Sequence, residues 1–127
     1  MSLFHLDTDF LIYALERKGA ERSLLIQLTE KAHRLEMSAI AWYEFARGPR
    51  SPHQLATARS FFSSNGVIPF DEELATRSAE MYCALGSPRK RGNDVAIAVT
   101  ALGHQATLLT HNPKDFDDIP GLQVLSG

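Results

Sequence analysis

The first fifteen residues place an acidic turn between a short apolar run and a helical pattern. Residues 3–6 have the length of a β-strand, and residues 10–15 have helical spacing. Asp7, Thr8 and Asp9 lie between them. In an open α/β sheet, ligands bind at the edge formed by the carboxyl ends of the strands. The segment therefore predicts Asp7 at a ligand-binding edge, whereas Thr8 or Asp9 is interpreted mainly as a cap of the following helix.

Strand and helix patterns alternate along most of the remaining chain. This alternation, with connections that suit parallel crossovers, predicts an α/β fold: a parallel sheet of about four or five strands with helices on both faces. At 127 residues, the chain is expected to form a single domain over residues 1–127. Strands are predicted at residues 35–40, 67–70, 107–110 and 122–125, and helices at residues 20–34, 41–47, 51–62, 71–85 and 94–102.

Composition narrows the class of protein. Apolar residues make up 44% and charged residues 22%, which is typical of a globular protein. The formal charge of −2 gives no general attraction for nucleic acid, so such a partner would need a local basic patch. The single cysteine, Cys83, excludes an internal disulfide and favours a reducing, cytoplasmic compartment. We expect Cys83 to be buried on a helix and no segment to span a membrane.

Acidic residues recur after the predicted strands and at the start of the most apolar helix. Asp7 follows the first strand, Glu44 lies shortly after the second, and Asp94 begins the helix over residues 94–102. The helix dipole alone is a sufficient structural reason for Asp94. A further polar cluster follows residue 110: it comprises Asn112, Asp115, Asp117 and Asp118.

Ionised carboxylates that lie close together repel one another, so their negative charge must be offset. Two such charges about 4 Å apart repel by roughly 4 kcal/mol at an effective dielectric near 20. Either their pKa values rise or a cation binds. Oxygen ligands without cysteine or histidine favour Mg²⁺ or Mn²⁺ over Zn²⁺. Such a site suits hydrolysis of a phosphodiester.

Four segments in order resemble one known family over essentially the whole chain. Residues 6–12, 37–48, 93–98 and 110–122 are similar to the motifs of PIN-domain proteins of the small bacterial toxin type, the VapC-like ribonucleases of toxin–antitoxin pairs. The resemblance implies an endoribonuclease that requires Mg²⁺ or Mn²⁺ and hydrolyses RNA. It also implies a small antitoxin partner that holds the toxin inactive, and a homodimer.

The resemblance also implies roles for individual residues. By position, Asp7, Glu44 and Asp94 correspond to the family's metal-binding catalytic acids. Asp7 and Asp94 would hold the metal, and Glu44 would hold it or orient the attacking water as a general base. The family's fourth acid falls on Asn112, which brings no charge, so Asp115 or Asp117 could contribute instead.

Other side chains are assigned supporting roles. Thr110 and Ser38 are expected to hydrogen-bond a carboxylate, and position 41, where the family usually has a hydroxyl, is alanine. The basic residues expected to contact RNA phosphates are Arg89, Lys90, Arg91 and Arg47, although a basic loop is usually just solvated.

Two alternatives remain open at this stage. Because Asn112 replaces the family's fourth acid, the chain could instead be a non-cleaving module that binds RNA or protein through a weakened metal site. The acids could also be helix caps in a structural subunit. Trp42 and Tyr43 flank Glu44, where core or dimer packing is the ordinary interpretation and base stacking a second one.

Overall fold

Five parallel strands form one sheet, with the order β3-β2-β1-β4-β5. The computed structural model describes residues 2–16 and 19–126. The predicted sheet of four or five parallel strands is confirmed. The strands are β1 (Leu3–Leu6), β2 (Arg34–Ser38), β3 (Val67–Ile68), β4 (Thr107–Leu109) and β5 (Val124–Leu125).

In the part of the chain that the structure describes, six α-helices connect and cover these strands; the last two pack against each other, and the first packs against the second and third. Within the described ranges, none of the helices combines the length and apolarity needed to cross a membrane. A 3-10 turn, Pro113–Phe116, follows β4. The helices are α1 (Thr8–Glu16), α2 (Ala20–Glu30), α3 (Ala39–Ala46), α4 (Pro52–Arg59), α5 (Glu72–Ala84) and α6 (Gly92–Gly103).

Strand β1 lies at the centre of the sheet, and its register determines what meets at the carboxyl edge. Leu6 is paired with Met37 on β2 and with Leu109 on β4. The Asp7 amide donates to the carbonyl of Leu109 at 2.9 Å. The residues that follow these three strands are therefore neighbours at one edge of the sheet.

The core lies between the central strands and the helices. Helix α6 is buried at every position from Val95 to Ala101, as its nearly uniform apolarity predicts. Burial of this apolar surface is the main favourable contribution to folding. The largest fully buried side chains include Phe10, Phe45, Phe116, Leu6, Leu11, Met37 and Ile97.

Several sequence predictions need correction at the level of single positions. Cys83 is exposed rather than buried, because α5 lies at the periphery and buries only Ser78. Helix α2 ends at Glu30, and Ala32 adopts a positive φ of 62° in the turn before β2. The predicted cap of α5 is confirmed: the Asp71 carboxylate accepts from the Leu74 amide at 3.0 Å.

Candidate active site

A cavity of about 260 Å³ lies at the carboxyl edge of the sheet, where β1 ends. It brings together the three predicted acids, which come from the end of β1, from α3 and from the first turn of α6. Two further carboxylates join them, so five acidic side chains share this acidic cavity. Its lining residues are Asp7, Thr8, Asp9, Glu44, Arg47, Asp94 and Asp115.

Asp7 is the buried carboxylate of the acidic cavity, with 6% of its surface exposed. One oxygen accepts from the Thr8 amide at 2.8 Å, and the other accepts from the Thr110 hydroxyl at 2.9 Å. Burial raises the pKa of Asp7 to about 7; the hydrogen bond from Thr110 opposes this, and the charges of Asp9 and Asp94 add to it. Asp7 thus holds a proton near neutral pH unless a cation compensates its charge.

Glu44 is held in place from two sides. Its Oε1 accepts from the Thr8 hydroxyl at 2.8 Å, and its Oε2 accepts from the Asn93 side-chain amide at 3.0 Å. These two contacts were not anticipated from the sequence. The position of Thr8 beside Asp7 was interpreted as a cap signal, but Thr8 is the first residue of α1 and Asp7 precedes it. The Thr8 side chain connects the end of β1 to α3 instead.

Asp94 lies in the first turn of α6, two residues after the helix begins at Gly92. Burial raises its pKa, as do the charges of Asp115, Glu44 and Asp9, while Arg91 acts in the opposite direction. No side chain caps α6, so a direct capping role does not explain Asp94. Its electrostatic coupling to three other acids is the signature of crowded negative charge.

The predicted supporting residues divide into those near the acidic cavity and those elsewhere. Thr110 contacts Asp7 as described. Asn112 donates from its amide nitrogen to Asp9 at 3.3 Å, and Asp115 lines the cavity itself. Ser38 does not make the carboxylate contact that was predicted: its hydroxyl accepts from the Ile40 amide at 3.1 Å and caps α3.

The four predicted basic residues lie in different environments. Arg91 makes two hydrogen bonds of 2.8 Å to the Asp118 carboxylate and one of 2.9 Å to the Asp115 carbonyl, so its guanidinium fastens the 3-10 turn to α6. Arg89 and Lys90 are exposed. Arg47 lines the acidic cavity.

The donor set of the acidic cavity fits a hard divalent cation, since its side-chain donors are carboxylate and hydroxyl oxygens. In the described ranges, however, no three histidine, cysteine, aspartate or glutamate side chains are already grouped as an ion would require. In the same structure, each carboxylate oxygen of Asp7 and Glu44 accepts a hydrogen bond from a neighbouring donor.

The fold and the site together define the class of protein. It is a parallel α/β domain with carboxylates gathered at the carboxyl end of its central strand. The family model described as PIN domain matches residues 5–122, and the chain belongs to this family. The match includes every residue that lines the acidic cavity.

Several named proteins are similar to this chain in sequence or in structure. Ribonuclease VapC2 of Rickettsia felis is 27% identical over 131 aligned positions, which cover 94% of this chain and 94% of that protein. The crystal structure of VapBC2 from Rickettsia felis, bound to a DNA fragment from its promoter, contains a chain that superposes with a TM-score of 0.78 at 22% identity, with 98% of each chain covered. A toxin–antitoxin complex from Klebsiella pneumoniae contains a chain with a TM-score of 0.66 and 28% identity, covering 98% of this chain and 96% of that one.

Proposed function

We propose that this chain is a metal-dependent endoribonuclease that hydrolyses RNA phosphodiester bonds and acts as the toxin of a toxin–antitoxin pair. The observation that carries the proposal is the acidic cavity, where five carboxylates meet and burial raises the pKa of Asp7 to about 7. A site with this much negative charge is unfavourable on its own and becomes favourable with a divalent cation. The named ribonuclease relative supports the same activity.

Asp7, Glu44 and Asp94 are the residues that would hold Mg²⁺ or Mn²⁺. When bound, the ion would lower the pKa of a water molecule and neutralise charge on the phosphoryl group. Thr110 and the Thr8 amide orient the Asp7 carboxylate. Asn93 and the Thr8 hydroxyl hydrogen-bond Glu44, whose carboxylate would hold the ion or orient the attacking water as a general base.

Substitution of the acids tests the site. Purified protein is expected to cleave single-stranded RNA with Mg²⁺ or Mn²⁺ but not with a chelator. Asp7→Asn and Asp94→Asn are each expected to reduce cleavage by at least about a hundredfold, in line with loss of a group that acts in the transition state. Glu30→Gln is the matched control, since Glu30 is exposed at the end of α2 and lies outside the cavity.

Cleavage retained in both variants would contradict this assignment. RNA binding without cleavage by the wild-type protein would instead favour the non-cleaving module. The relative that is named a ribonuclease favours cleavage over that module, and Asn112 contacts Asp9 rather than lining the cavity. We therefore place it second.

The toxin role has a separate test. Expression of the chain in a bacterial host is expected to arrest growth, and Asp94→Asn is expected to relieve the arrest. Co-expression of a small antitoxin should relieve it as well, and we propose that the toxin forms a homodimer in that complex. Action in the cytoplasm follows from an RNA substrate. Uninhibited growth with abundant soluble protein would argue against a toxin.

A further inference from the structure

Tyr43 is the most exposed large hydrophobic side chain in residues 2–16 and 19–126, with 63% of its surface accessible. Its neighbours on α3 behave differently: Phe45 is fully buried, and Trp42 packs against the core. Tyr43 therefore does not pack in the core of the chain, and packing across a dimer, the other part of the ordinary interpretation, stays a prediction. A single exposed ring is common on protein surfaces, so its position is the informative observation.

That position is beside the acidic cavity. Tyr43 directly precedes Glu44, and Arg47 follows one helical turn later, on the same side of α3. The Arg47 guanidinium lies 5.4 Å from the centre of the Tyr43 ring, within the range of a cation–π contact. Arg47 also lines the cavity, so the Tyr43 ring contacts a side chain of the cavity lining. We call these two residues the Tyr43–Arg47 pair.

Charge distinguishes this pair from other surface contacts. Arg47 is the one basic side chain among the seven residues that line the acidic cavity, and five of the others are carboxylates. A polyanionic substrate approaching such a cavity needs a local cation, since the chain as a whole carries a formal charge of −2. Arg47 supplies that cation at the rim.

We propose that the Tyr43–Arg47 pair binds the nucleotide adjacent to the scissile phosphate of single-stranded RNA. The Tyr43 ring stacks on the base, and the Arg47 guanidinium contacts the phosphate. Aromatic stacking together with a cation on the backbone is how proteins commonly hold unpaired nucleotides. The assignment rests on the proposed function, because it takes the acidic cavity as the place of cleavage.

A protein partner is the competing occupant, since tyrosine and arginine are also enriched at protein interfaces. Two features favour RNA. Arg47 lines the acidic cavity, and the Tyr43 ring lies against the Arg47 guanidinium, 5.4 Å from it. Protein binding is therefore treated as an outcome of the test.

The test measures RNA affinity separately from cleavage. In the Asp94→Asn background with a chelator present, the probe is a fluorescently labelled, unstructured single-stranded RNA of mixed sequence, and the readout is anisotropy. Tyr43→Leu keeps an apolar side chain but removes the ring, and we expect it to weaken binding about tenfold. Tyr43→Phe should bind like the parent, because it keeps the stacking face. Ile26→Ala is the matched control, since Ile26 on α2 is exposed but does not line the cavity.

Salt dependence identifies the phosphate contact. Arg47→Ala is expected to reduce the slope of log affinity against log salt by about 0.7, the value for one phosphate contact on a single strand. Tyr43→Leu should leave that slope unchanged. In otherwise wild-type protein with Mn²⁺, Tyr43→Leu should raise KM for the same RNA while kcat changes little.

Unchanged RNA affinity in both Tyr43→Leu and Arg47→Ala would overturn the assignment while leaving the proposed nuclease intact. The assignment is also overturned if light scattering shows that Tyr43→Leu alters the oligomeric state while RNA affinity stays the same, because Tyr43 then contacts protein. If the parent protein neither binds nor cleaves RNA, the proposed function fails and this inference fails with it. Weakened binding by Tyr43→Leu, restored by Tyr43→Phe, supports it.

Discussion

The buried charge of Asp7 would favour binding of a cation, but without an ion it lowers the stability of the folded protein. Its side chain is buried beside Asp9 and Asp94, and its pKa lies near 7 instead of 3.8. The folded protein therefore binds this proton more tightly than the unfolded chain does. With no ion present, the contribution of Asp7 to stability falls as the pH rises from about 4 to about 7, and it is level above that range.

Asp7→Asn is expected to stabilise the metal-free protein at pH 8. Asparagine keeps the shape of the side chain and removes the buried charge, but its NH2 group cannot accept one of the two hydrogen bonds that Asp7 receives from the Thr8 amide and the Thr110 hydroxyl. The free energy of unfolding should therefore increase by less than roughly 4 kcal/mol. The difference between variant and wild type should shrink as the pH falls toward 3.8, the ordinary pKa at which Asp7 of the unfolded chain also begins to hold its proton. Urea denaturation with a chelator at several pH values measures this.

Glu30→Gln, at an exposed position, should show no such trend. If Asp7→Asn is less stable than wild type at pH 8, the charge of Asp7 is compensated within the protein and the electrostatic account is wrong.

Sequence patterns located the acids of the site better than the side chains that orient them. Asp7, Glu44 and Asp94 could be selected because each follows a strand pattern or begins an apolar helix. The contacts of Thr8 and Asn93 with Glu44 span 36 and 49 positions of the chain. No local pattern reports contacts of that kind, because they depend on how β1, α3 and α6 pack together.

At the scale of elements, the order of strands and helices was predictable, and their ends were less so. Helical and strand patterns report which face is apolar, and this is clear for α6, which is buried on nearly all sides. They report less about where an element stops. The pattern predicted that α2 would reach residue 34, but the chain turns at Lys31 and Ala32 so that Arg34 can begin β2.

Hydrogen bonds between Glu36 and two histidines join β1, β2 and the end of α6. Glu36 on β2 contacts His5 on β1 and His104 at the end of α6, the latter at 2.8 Å. Burial raises the pKa of Glu36, but the hydrogen bonds and charges of His5 and His104 outweigh it, and the net pKa lies below the ordinary value of 4.5. Ionised Glu36 therefore contributes stability above pH 4.5, and this contribution is lost as the pH falls through its lowered pKa.

Glu36→Gln is expected to lower the free energy of unfolding at pH 7 by about 2 kcal/mol, because charge-assisted hydrogen bonds are lost in a buried position. Below pH 4.5 the difference from wild type should narrow. Denaturant unfolding at pH 7 and pH 4 measures both effects. Glu80→Gln, at an exposed position on α5, serves as the control. A Glu36→Gln protein as stable as wild type at pH 7 would show that these hydrogen bonds contribute nothing.

Across the whole molecule, the acidic cavity and the Glu36 hydrogen bonds lie at opposite edges of the sheet. The acidic cavity lies where β1 ends, whereas Glu36 and His104 line a larger cavity of about 630 Å³ that is bordered by the beginnings of β1 and β2. The hydrophobic core lies between these two edges. An ion bound at the acidic cavity should therefore change the stability of the entire domain, because the core packs against the strands that end there.

Addition of Mn²⁺ is expected to raise the melting temperature of the wild-type protein. An ion that binds only the folded state at a hundred times its Kd stabilises by about 2.7 kcal/mol, which corresponds to roughly 10 °C for a domain of this size. Because the ion competes with the proton on Asp7, the increase should grow as the pH rises toward 7 and then level off. Differential scanning calorimetry at pH 5.5, 7 and 8 measures the increase. Asp94→Asn should abolish it and Glu30→Gln should retain it, while equal increases in all three proteins would mean that the ion binds outside the acidic cavity.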